Sequence, residues 1–104
     1  MPVDLVWLPQ ALRDVRDIYV RIGLEQPKAA ERFFDSFERK ARLLAEQPHM
    51  GARYPEIGPG VRMLVDAPFL ILYETIPDDD DASVQRVQIV RVIDGRRDLR
   101  ALLT

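Results

Sequence analysis

The sequence predicts an α+β fold: an N-terminal strand, then an antiparallel helical hairpin packed on a mostly antiparallel sheet of three to four strands, then a short C-terminal helix or tail. Three observations predict it. Two amphipathic helical periods lie next to each other in the first half of the chain, joined by only about four residues. Three strand-like segments follow, each tied to the next by a short proline-containing or polar link. The length, 104 residues with 47% hydrophobic and 31% charged side chains, suits one core and one domain over 1–104 and is too short for two.

The first strand is read at Val3 to Trp7, which is short and rich in β-branched and aromatic residues. Pro9 follows at the first turn of a helix, where its missing N–H costs nothing. Leu8, Leu12, Val15, Tyr19 and Ile22 recur at spacings of four, three, four and three, with Ala11 and Ile18 widening the stripe. Arg13/Asp17 and Asp17/Arg21 are opposite charges at i,i+4 on the wet face, and Gly23 is a natural stop. Pro27 opens a second helix, in which Ala30, Phe33, Phe34, Phe37, Ala41 and Leu44 form the stripe and Pro48 ends it. Phe33, Phe34 and Phe37 are therefore expected between this helix and the sheet, with Trp7 and Tyr19 nearby. Residues 48–60 contain three prolines and three glycines and read as a loop.

Strands are expected at 61–66, 69–76 and 84–93, joined as a meander. Strict alternation sets Arg62, Leu64 and Asp66 opposite Val61, Met63 and Val65. In the last strand it sets Val87, Ile89 and Ile93 on one face and Val84, Val90 and Val92 on the other. Residues 94–103 read as a short helix or a loose tail, with leucines at 99, 102 and 103 on one helical face.

Composition excludes several classes of function. Cysteine is absent, so disulfide scaffolds, thiolate metal sites and cysteine nucleophiles are excluded. The lone histidine, His49, sits in a loop and makes a poor metal site. Ser36 and Ser83 lack a nucleophile elbow or a histidine base, and Gly58-Pro59-Gly60 lacks the Gly-Lys-Ser/Thr of a phosphate loop. Counting from Asp78, the sixth residue is Ser83 and the twelfth Ile89, so the Asp78–Asp81 run is not an EF-hand loop and reads as a solvated hairpin tip. No metal or cofactor is expected. A net charge of -2 argues against general nucleic-acid binding. No apolar run nears the roughly 20 residues of a membrane span, and Met-Pro-Val-Asp does not open a signal peptide. Together with the missing cysteine, this leads us to expect a cytoplasmic protein.

Charge is nonetheless uneven. Residues 74–85 carry a net -5, whereas residues 86–104 hold five arginines against Asp94 and Asp98. Arg62, Arg86, Arg91, Arg96, Arg97 and Arg100 are open to two readings: solvated side chains paired with Asp94, Asp98 and Glu74, or guanidinium forks for an anionic surface.

The ordered set Trp7, Ala11, Asp14, Ile18 and Tyr19, then Pro27, Ala29, Ala30, Arg32 and Phe33, then Leu44, Pro48 and Gly51, resembles the ParE branch of the RelE/ParE toxins. So do Gly60-Val-Arg62-x-Leu64, Phe69-Leu-Ile-Leu-Tyr73 and Val87-x-Ile89-x-Arg91-Val92-x-x-Gly95-Arg96-Arg97-Asp98-Leu99, and the likeness spans nearly the whole chain. It implies a RelE/ParE-like fold and the toxin of a type II toxin–antitoxin, plasmid-stabilisation-like module. Toxins similar to ParE poison DNA gyrase and block replication; those similar to RelE cut messenger RNA on the ribosome. The RelE pattern is matched only at Arg62 and at Arg96 or Arg97. Both lysines, Lys28 and Lys40, lie on the helices, and no Tyr or His follows Arg97. Asp94 stands where ParE-type toxins usually carry His. The resemblance thus implies a non-enzymatic gyrase inhibitor without catalytic residues, with Arg62, Arg91, Arg96 and Arg97 binding the target. It also implies a cognate antitoxin as partner, which we place on the apolar positions Val84, Val90 and Val92 and on Tyr19 and Ile22. The alternatives are a RelE-like ribosome-dependent ribonuclease, or a degenerate toxin that only binds antitoxin.

Overall fold

The amphipathic periods become two helices and the β-rich segments a five-stranded mixed sheet in a computed structural model that describes residues 2–97. The order is β1 (Asp4–Trp7), α1 (Pro9–Gly23), α2 (Pro27–Glu46), β2 (Ala52–Arg53), β3 (Arg62–Asp66), β4 (Phe69–Ile76) and β5 (Arg86–Asp94). Both helices open on proline at the first turn, and three residues join them. In the sheet the strands run β1-β5-β4-β3-β2. Four of them pair antiparallel, and β1 pairs parallel to β5 with Leu5 opposite Val87 and Trp7 opposite Ile89. The sheet is thus wider than the expected three to four strands. The addition is β2, two residues inside the stretch read as a loop, too short to carry a periodic signal.

The core lies on one face of the sheet. Ala11, Val15 and Ile18 of α1 and Phe37, Ala41 and Leu44 of α2 pack against Phe69, Ile71, Tyr73, Val87, Ile89 and Val92. Phe33 and Phe37 meet Phe69 edge-on, at centroid distances of 5.1 and 5.5 Å. Phe34 does not join them. One residue past Phe33 turns about 100° around the helix, so Phe34 meets Tyr19 edge-on at 6.0 Å on the outer side of the hairpin and stays 38% exposed.

Strict alternation fails in β5. Leu72 pairs with Arg91, but the next residue, Tyr73, pairs with Ile89, so Val90 is an extra residue in the ladder. The bulge re-phases the strand. Val92 consequently joins Val87 and Ile89 in the core, at 2% exposure, rather than the opposite face to which counting by twos assigned it. Alternation along β3 and β4 holds: Met63, Val65, Leu70 and Ile76 fall on the far face, where Val65 and Ile76 are exposed.

The acidic tip is exposed, as expected of a solvated hairpin tip, but it is not free of contacts. Asp78 and Asp80 fold back onto Arg53, and Asp80 also meets Arg62. None of the expected i,i+4 ion pairs closes on the outer helical faces among the described residues, where Arg16 lies 3.9 Å from Asp17 instead; such exposed pairs contribute little. The helix or tail expected over 94–103 falls, beyond Arg97, outside the described residues.

Candidate functional site

The parallel β1 ends at Trp7, and Leu8 N–H donates to the Ile89 carbonyl at 3.0 Å. Beyond Ile89 the β1 side of β5 has no strand to pair with. A buried backbone donor left unpaired there would cost about 1–3 kcal/mol. α1 supplies the acceptor. Asp14 Oδ2 takes the Val92 N–H at 3.0 Å. The same carboxylate accepts from Arg91 Nε at 2.7 Å, from Arg91 Nη2 at 3.1 Å and from Gln10 Nε2 at 3.0 Å. Asp14 lies within the buried stripe of α1, three residues after Ala11 and four before Ile18. A carboxylate there is tolerable only because its oxygens are saturated by donors and paired with a guanidinium.

This fork holds Arg91 at a cleft of about 230 Å³ that Arg21, Asp17, Asp94 and Arg97 also line. A neighbouring cleft of about 290 Å³ shares Ile18, Arg21, Phe69 and Asp94 and adds Ile22 and Arg96. At its rim the chain turns at Gly95, whose N–H donates to the Pro68 carbonyl at 2.8 Å. Arg96 then folds back on Asp94: Nε and Nη2 reach the two carboxylate oxygens at 3.0 and 2.7 Å, and its backbone N–H reaches Oδ1 at 2.9 Å. That pairing, with Arg97 adding to the field, holds the Asp94 carboxyl down at about 2. Asp94 therefore acts as a fixed anion that orients Arg96. Arg96 itself remains 73% exposed in its side chain. Guanidinium groups stay protonated throughout the physiological range; here Arg21, Arg91 and Arg97 share the cleft with Asp14, Asp17 and Asp94, and Arg96 lines the neighbouring one.

Of the four arginines expected to bind a target, Arg91, Arg96 and Arg97 converge here and Arg62 does not. Arg62 is buried beneath the loop after α2, with 5% of its side chain exposed. Its Nη1 donates to the Gly51 carbonyl at 2.9 Å and the His49 carbonyl at 3.4 Å, and its Nη2 to Asp80. Tyr73, its register partner on β4, completes this hub: its hydroxyl donates to the Pro48 carbonyl and accepts the Gly51 N–H, both at 2.9 Å. A Cβ on Gly51 would lie 2.6 Å from the Tyr73 ring and hydroxyl, so only glycine fits. Burial pushes the Tyr73 phenol above its ordinary value.

The residues expected to meet an antitoxin are scattered. Tyr19 lines an apolar groove of about 460 Å³ between the helices, with Leu12, Val15 and Phe34. Ile22 and Val84 are partly buried against the core, Val90 is half-buried at the bulge, and Val92 is inside. Reasoning from the sequence named Asp14 only as a motif position and Arg21 only in a surface pair with Asp17. The signal for Asp14 was its place inside an apolar stripe.

The family model of the ParE toxin of the type II toxin–antitoxin system parDE matches residues 5–99. The chain belongs to that family. No curated protein sequence matches it at a significant level. Among solved structures it resembles the chromosomal ParDE system of P. aeruginosa at 23% identity and a TM-score of 0.69, over 88% of this chain and 95% of that one. It also resembles the toxin–antitoxin complex RelBE2 of Mycobacterium tuberculosis at 19% identity and a TM-score of 0.59, over 90% of this chain and 99% of the other. These likenesses show a shared α+β fold, which is therefore common to ParE and RelE relatives. Among the described residues, no cluster of acidic or histidine side chains suits a metal, and no helix is long and apolar enough to cross a membrane.

Proposed function

We propose that this ParE-family chain is the toxin of a type II module, that it inhibits DNA gyrase by binding, and that a cognate antitoxin neutralises it. The observation that carries the reading is the arginine cleft, in which Arg91, Arg96 and Arg97 are gathered on a frame of Asp14 and Asp94. Such a frame presents guanidinium groups for binding, and the role falls to three of the four arginines that the resemblance implies. Arg62 is spent internally on Gly51, His49 and Asp80, which supports removing it from the target-binding set. The antitoxin reading is supported by exposed apolar surface. Leu12, Tyr19 and Phe34 open along the hairpin groove, and Val65 and Ile76 lie on the far face of the sheet. A folding-upon-binding segment would cover such surface. Ile22 instead lines the neighbouring cleft beside Arg96, Val90 is half-buried at the bulge, and Val92 lies in the core.

The alternative that the sequence resemblance implies is a RelE-like, ribosome-dependent ribonuclease; the likeness to RelBE2 shows a shared fold alone. One experiment separates them. Purified toxin is added to gyrase with plasmid DNA and, separately, to translating ribosomes. Lost supercoiling or trapped DNA cleavage with intact messenger supports the gyrase reading. Site-specific cuts in messenger with gyrase unaffected would replace it by the second.

A further inference from the structure

Arg53 and Arg62 are register partners across β2 and β3. Like charges directly opposite on one face of a sheet repel and weaken the pairing. β2 is two residues long and lies at the sheet edge, so little else holds it. The chain meets this repulsion with its own acidic tip. Oδ1 of Asp80 accepts from Nη2 of Arg53 at 3.1 Å and also from Nη2 of Arg62, while Asp78 accepts from Nη1 of Arg53 at 2.9 Å. The two sides of this contact differ in kind. Arg62 is buried and anchored by two backbone carbonyls, whereas Asp80 is 62% exposed within the nine residues that link Ile76 to Arg86.

We infer that Arg53 and Arg62 form a recognition site for an acidic peptide segment of a partner chain, and that Asp78 and Asp80 occupy that site in cis. The occupant defines the ligand chemistry. Two carboxylates two residues apart fit these donors, one lodged between the guanidinium groups and one on the outer side of Arg53. An acid-x-acid segment arriving in trans meets the same donors, once the tip has swung away. The tip competes at a local concentration of order millimolar. The free chain therefore binds such a segment more weakly than its intrinsic affinity, in proportion to how rarely the site is open. By strand order the site lies at the sheet edge remote from the arginine cleft, and it does not depend on the target proposed above.

The probe is a labelled peptide of residues 76–84, titrated by fluorescence anisotropy into the parent chain and into the variant Asp78→Asn/Asp80→Asn. Asparagine at position 80 leaves a neutral acceptor for the buried Arg62, and circular dichroism checks the fold. The variant should bind the peptide at least about tenfold more tightly than the parent. The gain should fade as salt rises and vanish when Arg53→Gln is added. Three results would each overturn the inference: equal affinity for both chains, equal binding of a control peptide with asparagine at all four aspartates, or binding that survives Arg53→Gln. Inorganic phosphate competing as well as the peptide at matched ionic strength would also overturn it, since the site would then take simple ions. If the double variant does not fold, Asp78→Asn alone, which leaves Asp80 on Arg62, should still raise affinity at least about threefold; no gain there refutes the site.

Discussion

Replacing Tyr73 by phenylalanine removes one oxygen and two hydrogen bonds that hold the loop after α2 to the centre of the sheet. The hydroxyl accepts the buried Gly51 N–H and donates to the Pro48 carbonyl, both at 2.9 Å, and Gly51 in turn offers its carbonyl to Arg62. Each bond contributes about 1 kcal/mol net, and a buried group left unpaired costs about 1–3 kcal/mol. The sum is about 2–4 kcal/mol, a large share of the roughly 5–15 kcal/mol that holds a domain together. At about 4–8 °C per kcal/mol for a domain near this size, Tm should fall by about 8–32 °C. Urea and thermal melts of parent and variant measure it directly. A shift under about 3 °C would show that Tyr73 does not anchor the loop, because an ordinary surface change reaches that size. The same hub predicts an alkaline signature. A phenol whose folded pKa is raised by burial stabilises the fold fully below its ordinary value of 10.0 and loses that contribution as pH rises through the higher folded value. Ultraviolet titration should therefore show one tyrosine ionising above its ordinary range, and Tyr73→Phe should abolish that phase.

Three further predictions test other parts of the account. Asp14→Ala leaves Arg91 and the Val92 N–H without their acceptor and should cost about 3 kcal/mol in urea melts, whereas Asp14→Asn keeps an acceptor for Val92 and should cost clearly less. Phe37→Ala should cost about 3–5 kcal/mol and nearly unfold the protein, while Phe34→Ala, at the exposed outer face, should cost about 1 kcal/mol; similar losses would refute the assignment of faces. The Asp94 carboxyl, lowered to about 2 by Arg96, contributes stability that is present above the ordinary 3.8 and is lost as pH falls through about 2. The difference in Tm between parent and Asp94→Asn should accordingly shrink across that window and stay flat above it.

Much of this fold is legible in residue patterns, because helical stripes and alternating strands report burial directly. Pro9 and Pro27 mark both helix starts, and Gly23 marks the end of α1. What the pattern missed depends on contacts between distant segments. The bulge at Val90 leaves no mark on an apolar run such as Val87 to Ile93, yet it moves Val92 from one face to the other. β2 is too short to have a period. Arg62 reads as one exposed arginine among several until the Pro48–Gly51 loop closes over it. The motif residues Pro48, Gly51, Arg62 and Tyr73 are spread over 26 positions and have one explanation, a single hydrogen-bonded hub. Asp14 was visible as a charge in an apolar stripe, but its partners lie 77 and 78 residues away.

The central claim is that the exposed cleft arginines, Arg96 and Arg97, bind the target and matter far more to binding than to the fold. Arg96→Ala/Arg97→Ala in the purified toxin tests it most directly, with gyrase supercoiling and thermal melting measured on the same sample. Both side chains are exposed, so stability should fall by no more than the exposed Arg96–Asp94 pair contributes, about 1 kcal/mol or less. Inhibition should weaken by at least about tenfold, the loss expected when charges are removed from a binding surface. Full inhibition by the double variant, or a loss of inhibition that merely follows a collapse in Tm, would contradict the account.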